Sequence, residues 1–269
     1  MRILTSNRLV AAVVFIGGAL GLASIARADH SWGSYHWART SNPFTLKLGD
    51  NVNSTWDTYL ATTSSDWSVS TVLNTTIVPG STNPRTCKPV SGRVQVCNAA
   101  YGFNGWLGVA TIWASGSHIT QGTVKLNDSY FNTSTYNTPA WRNMVSCQEV
   151  GHTLGLDHQD TIFNNGNLNT CMDYTNDPST NQHPNADDYA QLDTIYSHLD
   201  STTTVDTSNP MPPAMTQIDL EGPNQWGRLV SESANGRHSV YEVDFGNGFK
   251  IITHVTWVIG EERGQGRGR

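Results

Sequence analysis

Two periods run along the chain, one of two residues and one between three and four. Residues 44–48, Phe-Thr-Leu-Lys-Leu, alternate and read as a strand that stops at Gly49-Asp50-Asn51. In 53–63, Trp56, Tyr59 and Leu60 recur at helical spacing, which predicts a helix starting near Ser54 or Thr55. Residues 72–78 and 93–97 read as two further strands, so the opening of the chain predicts a sheet with a helix packed on it. Two longer apolar runs, 104–113 and 118–127, continue the strand pattern. At Thr138-Pro139 the period changes. Threonine is a good N-cap and proline a good first-turn residue, so a helix is predicted from there to about Leu154. Its stripes are Trp141, Met144, Val145, Gln148 and His152 on one side and Cys147, Val150 and Leu154 on another. A helix apolar over so much of its girth belongs at a buried centre.

Beyond residue 200 the pattern thins. Residues 201–215, rich in Thr and Pro, read as a linker. Then 239–245 and 250–258 alternate about Gly246-Asn247-Gly248, which predicts a β-hairpin. This 216–260 region is too small for a robust core of its own. It either docks on the preceding domain or binds a surface ligand. Residues 261–269 are expected to be a disordered tail.

Composition adds a compartment. Arg2 and Arg8 precede an apolar run over 9–22 and the small-x-small site Ala26-Arg27-Ala28, so 1–28 read as a signal peptide and the chain is expected to be secreted from Asp29 onward. No later stretch is apolar enough to cross a bilayer, and stable membrane insertion is not expected. The whole chain carries −6; without Arg2, Arg8 and Arg27 its 16 basic residues fall to 13 against 22 acidic ones, a balance that excludes nucleic acid as an expected partner. The 4 cysteines of an exported protein predict two disulfides. Three pairings are open; the expected one joins Cys87 to Cys97 and Cys147 to Cys171. The alternative, cysteine as a zinc ligand, lacks any Cys-x-x-Cys spacing.

The chemistry gathers at 147–160, Cys-Gln-Glu-Val-Gly-His-Thr-Leu-Gly-Leu-Asp-His-Gln-Asp. On a helix, Gln148 and His152 share a face and Glu149 stands beside them. Gly155 can take the left-handed conformation that ends a helix, which lets the chain turn and return His158 toward His152. Two imidazoles and a carboxamide beside one carboxylate suit a metal with a neighbouring general base.

Gln148-Glu149-x-x-His152-x-x-Gly155-x-x-His158 resembles the long zinc motif of the metzincin metalloproteases, which has histidine where this chain has Gln148. Cys171-Met172-Asp173-Tyr174 resembles that family's methionine turn, with Tyr174 where some members place a tyrosine near the metal. Residues 183–196 look like its closing helix. The resemblance implies an α+β fold: a metzincin-like catalytic domain over 29–200, with a twisted mixed sheet, packed helices, an active-site helix and a Met-turn, plus the small β-rich C-terminal region. It implies Zn2+ held by Gln148, His152 and His158, with Glu149 as general base and Tyr174 stabilising the oxyanion. It also implies a peptide substrate bound in extended form along the 104–113 strand, which would be the sheet edge; the alternative is an ordinary interior strand. A monomer is expected.

Several single residues have two readings. The opening His30, Trp32, Tyr35, His36 and Trp37 form either a packed strap or a source of histidine that compensates for Gln148. His118 is structural, or part of a second metal site. Asp157 and Asp160 orient imidazoles, while Asp160 alternatively binds the metal or is simply solvated. Three functions follow: a secreted zinc metalloendopeptidase, a pseudo-protease acting as a binding or inhibitory module because Gln148 replaces a ligand histidine, and a carbohydrate-binding adhesin using the 9 tryptophans.

Overall fold

The computed structural model describes residues 29–160, 162, 163 and 165–260. The expected signal peptide and tail lie outside them. The fold is mixed α+β, dominated by one large mixed sheet.

The alternating runs become strands where the pattern predicts them. After the two-residue strand β1 (His36–Trp37) come β2 (Phe44–Asn51), helix α1 (Asp57–Trp67) and β3 (Leu73–Pro79). β2 and β3 are parallel neighbours, as a strand–helix–strand crossover requires. α1 starts later than predicted. The Asn53 side chain and main-chain oxygen take the N–H groups of Thr55 and Trp56, so a turn precedes the helix. β4 (Val94–Ala99), β5 (Trp106–Ser115) and β6 (His118–Asn127) complete the first half of the sheet. A short helix α2 (Asp128–Phe131) leads to α3 (Pro139–Thr153), the predicted central helix, and then to α4 (Ala186–Ile195). α3 packs against β5, β6 and α1. Its apolar side joins a core that includes Trp37, Trp67, Leu107, Val145 and Val150, all fully buried.

The last third is built into the rest of the fold, so of the two readings of the C-terminal region the docked one is seen. The 201–215 stretch is not a free linker. Thr204 N–H donates to the Ala38 oxygen and Asp206 N–H to the Gly92 oxygen, at 2.9 and 2.8 Å. Met215, on α5 (Pro213–Gln217), is buried against Trp113 and Ile251. The C-terminal region is β-rich as expected, but its strands β7 (Arg228–Glu232), β8 (His238–Asp244) and β9 (Phe249–Trp257) continue the main sheet. The order is β3-β2-β4-β6-β5-β9-β8-β7, with β1 beside β6. β5 is therefore interior. It pairs antiparallel with β6 on one side and β9 on the other, so it is not the open edge the resemblance implied. The parallel half of the sheet precedes α3 in sequence, and the C-terminal strands add only to the antiparallel half.

Both disulfides form as expected, Cys87–Cys97 and Cys147–Cys171. Such bonds belong to an oxidising compartment. No described helix is long and apolar enough to cross a membrane.

Candidate functional site

α3 begins where the Thr138 side chain accepts the Trp141 N–H. It ends in a Schellman arrangement: Leu156 N–H reaches the Gly151 oxygen, Gly155 N–H reaches the His152 oxygen, and Gly155 sits at φ 97°. A Cβ on Gly155 would lie 2.4 Å from the Tyr35 oxygen, so glycine is needed there for space as well as for φ. The strap holds the same bend from outside, through Trp32 N–H to the Gly155 oxygen at 2.8 Å and Asp157 N–H to the His30 oxygen at 2.7 Å. His30 and His36 turn elsewhere, to Asp188 and Asp200, so of the two readings the strap is the one seen.

The bend returns His158 to His152, with ring centroids 4.7 Å apart. His152 Nδ1 faces the Leu156 oxygen at 2.9 Å, so this nitrogen carries the proton and Nε2 keeps a lone pair. That Nε2 is buried without a partner among the described residues, and so is Nε2 of His158, whose Nδ1 faces Asp157 Oδ1 at 3.4 Å. Burial, and then the neighbouring imidazoles His254 and His158, hold His152 well below the usual histidine range. Tyr174 stacks on His158 with centroids 4.0 Å apart, and burial raises its hydroxyl pKa. Met172 lies beneath: a Cβ on Gly151 would fall 2.6 Å from its Sδ. The Cys147–Cys171 bond and the hydrogen bond from Gln159 N–H to the Met172 oxygen clamp that turn to α3 and the bend.

Glu149 has no exposed surface. Its Oε1 accepts the Thr256 hydroxyl at 2.6 Å, and Oε2 has no partner among the described residues. Burial pushes its pKa up from 4.5 to about 8, against the lowering effect of hydrogen bonds from Thr256 and the Ala110 main chain. β5 comes this close only because residue 108 is glycine, where a Cβ would sit 2.5 Å from Glu149 Oε1. Gln148 is differently placed from a ligand. Its Nε2 donates to the Cys171 oxygen at 2.8 Å and its Oε1 accepts from Thr256 at 2.9 Å, so the carboxamide ties α3 to the methionine turn and to β9. Asp160 holds the loop beyond His158 through Ile162 N–H and the Asn165 amide.

Three residues of this site escaped the sequence reading: His238, His254 and Thr256, all from β8 and β9. His254 stacks on His152 at 4.2 Å, and His238 lies 4.2 Å from His158. His238 is paired in register with Thr256 and Val240 with His254, so both histidines stand over α3 beside the threonine. Burial first, and then neighbouring charges, hold His238 well below its usual range. His254 is pulled down to about 4, burial outweighing the raising effect of Asp157. The available signal was His254-x-Thr256, two polar side chains on one face of an otherwise apolar alternating strand.

Four buried imidazoles thus meet above α3 with four unpartnered ring nitrogens among His152, His158 and His254. Such nitrogens are costly to bury without a partner, at about 1–3 kcal/mol each, and neutral imidazole is the commonest metal donor. His152 and His158 fit a metal by that chemistry; Gln148, with both amide atoms occupied, does not. Among the described residues, a group of three whose ligand atoms all lie within 4.8 Å of one another is found elsewhere, at His36, His198 and Asp200, and that group could hold a metal ion.

Set against protein-family models and against curated proteins, the sequence matches none.

Proposed function

We propose that the chain is a secreted zinc-dependent metalloendopeptidase of metzincin type whose described fold is a latent form. The observation that carries this reading is one juxtaposition: His152 and His158 face each other across the Gly155 bend, with lone pairs to offer, beside a buried glutamate whose pKa stands at about 8. A base poised near neutrality can take a proton from water and return it to a leaving amine. Zinc on the imidazoles would supply Lewis-acid activation. Glu149 would accept and deliver the proton through Oε2, its unengaged oxygen. Tyr174, against His158, is the residue to donate a hydrogen bond to the developing oxyanion.

Latency follows from β9. An extended peptide would add to β5 through main-chain hydrogen bonds, and β9 already makes that pairing from Trp106↔Trp257 to Ser115↔Phe249. The Thr256 hydroxyl meanwhile contacts both Gln148 and Glu149.

The same observations favour a second reading, a pseudo-protease serving as a binding or inhibitory module, because a strand integrated on both sides is slow to leave. Metal analysis beside casein digestion separates the two. The arms are the intact chain, the chain nicked by a protease within 207–212, and the Glu149→Ala and Gln148→His variants. The latent enzyme predicts digestion by the nicked chain that Glu149→Ala abolishes. Metal-loaded nicked protein that leaves casein intact, with or without Gln148→His, establishes the non-catalytic module instead.

A further inference from the structure

A second cluster lies away from α3, beside the strap. His36 on β1 and His118 at the start of β6 are register partners, and His198 and Asp200 follow α4. Three Nε2 atoms surround one carboxylate oxygen. Asp200 Oδ1 is 3.5 Å from His36, 3.2 Å from His118 and 3.8 Å from His198. The His36 and His198 Nε2 atoms are 3.3 Å from each other. Protons alone serve this arrangement poorly, because His36 Nε2 faces both Asp200 Oδ1 and His198 Nε2, and one N–H cannot point at both.

A cation accounts for the spacings. Ligands at about 2.0–2.1 Å from a tetrahedral ion sit about 3.3 Å from one another, and the three separations among His36 Nε2, His198 Nε2 and Asp200 Oδ1, 3.3, 3.5 and 3.8 Å, lie near that value. The surroundings are those of a metal site as well. The Ser34 oxygen takes His36 Nδ1 at 2.7 Å, which leaves Nε2 to face the cluster. Arg39 holds Asp200 Oδ2 through Nη1 at 2.8 Å and its main-chain N–H at 3.2 Å, so Oδ1 is the oxygen turned inward. His36 and Asp200 are largely buried while His118 and His198 are partly exposed, and a cavity of about 390 Å³ lined by Ser34, Ser117 and His198 opens beside them.

The geometry points to a structural divalent-metal site made by His36, His198 and Asp200, with His118 beside it at 3.2 Å from Asp200 Oδ1. Two imidazoles and one carboxylate select zinc over calcium or magnesium. The task of such an ion is mechanical. It staples the strap to the turn after α4, two segments far apart in sequence. The strap in turn holds the Gly155 bend, so the ion would fix the position of His158 from a distance.

The test uses the full chain, stripped with EDTA and titrated with zinc, reading stoichiometry by elemental analysis and thermal midpoint by circular dichroism. The arms are wild type, His198→Ala, His36→Ala and His158→Ala. His198 is exposed, so its loss leaves the packing intact, and the circular dichroism of both cluster variants in EDTA checks that they fold. The inference predicts that wild type binds one more equivalent of zinc than either cluster variant, and that the zinc-induced rise in thermal midpoint is lost in both. His158→Ala keeps both the equivalent and the rise, which separates this site from the one on α3. Cobalt substitution of His158→Ala should give the visible absorption of a tetrahedral ion. Equal zinc content and an equal midpoint rise in wild type and the two cluster variants would overturn the assignment.

Discussion

Glu149→Gln in the metal-free protein separates the carboxyl's proton from everything else the side chain does. Glutamine keeps the size of the neutral acid and an oxygen for the Thr256 hydroxyl. In the fold the carboxyl is wholly buried and its pKa is raised from 4.5 to about 8. The folded state thus keeps a proton that the unfolded chain releases. This group's contribution to stability is complete below about pH 4.5 and is lost as pH rises through about 8. At about 1.4 kcal/mol per pH unit, that interval amounts to about 5 kcal/mol. The amide does not titrate, and the other titrating groups are common to both proteins. The difference in unfolding free energy should therefore shift by about 5 kcal/mol in favour of the variant between about pH 4.5 and about pH 9. Urea unfolding in EDTA with disulfides intact, at fixed ionic strength across that range, measures it. Stability curves that stay parallel would show that the carboxyl titrates in the fold as it does in water, and the poised base would be refuted.

Other expectations are smaller. Thr138→Ala removes the cap of α3 and should lower the urea unfolding free energy by about 1 kcal/mol. Replacing Cys147 and Cys171 by alanine opens a loop closed across a separation of 24 residues, and chemical denaturation should show a loss of about 3.5 kcal/mol. Gly155→Ala places a Cβ against the Tyr35 oxygen at φ 97°, with an expected cost of about 2 kcal/mol or more and faster proteolysis of the strap at 30–35. Thr256→Val removes a hydrogen bond that lowers the Glu149 pKa, so the pH at which stability is lost should move upward in the same urea series.

The elements with local causes were legible. Thr138-Pro139 and Gly155 bracket α3 because caps and left-handed turns are set by neighbouring residues. The hairpin about Gly246-Asn247-Gly248 was readable for the same reason. What the sequence concealed is partnership at long range. An edge strand and an interior strand share one pattern, so nothing within 104–113 distinguishes β5 with an open side from β5 paired to β9. His254 is paired in register with Ala110 and stacks on His152, and neither relation leaves a trace in local periodicity. The cluster of His36 and Asp200 spans 164 residues, and only the folded sheet brings its members together. The carboxamide of Gln148 was read as a donor to an ion because its hydrogen-bond partners, the Cys171 oxygen and the Thr256 hydroxyl, lie on other elements.

The placement of β9 between β5 and β8 has a consequence for biosynthesis. The strand that seals the sheet is translated after every other strand, so a nascent chain carries β5 with a bare hydrogen-bonding rim until translation has passed residue 257. Such a rim recruits any extended neighbour. A prematurely terminated product should stick to its siblings rather than persist as a monomer.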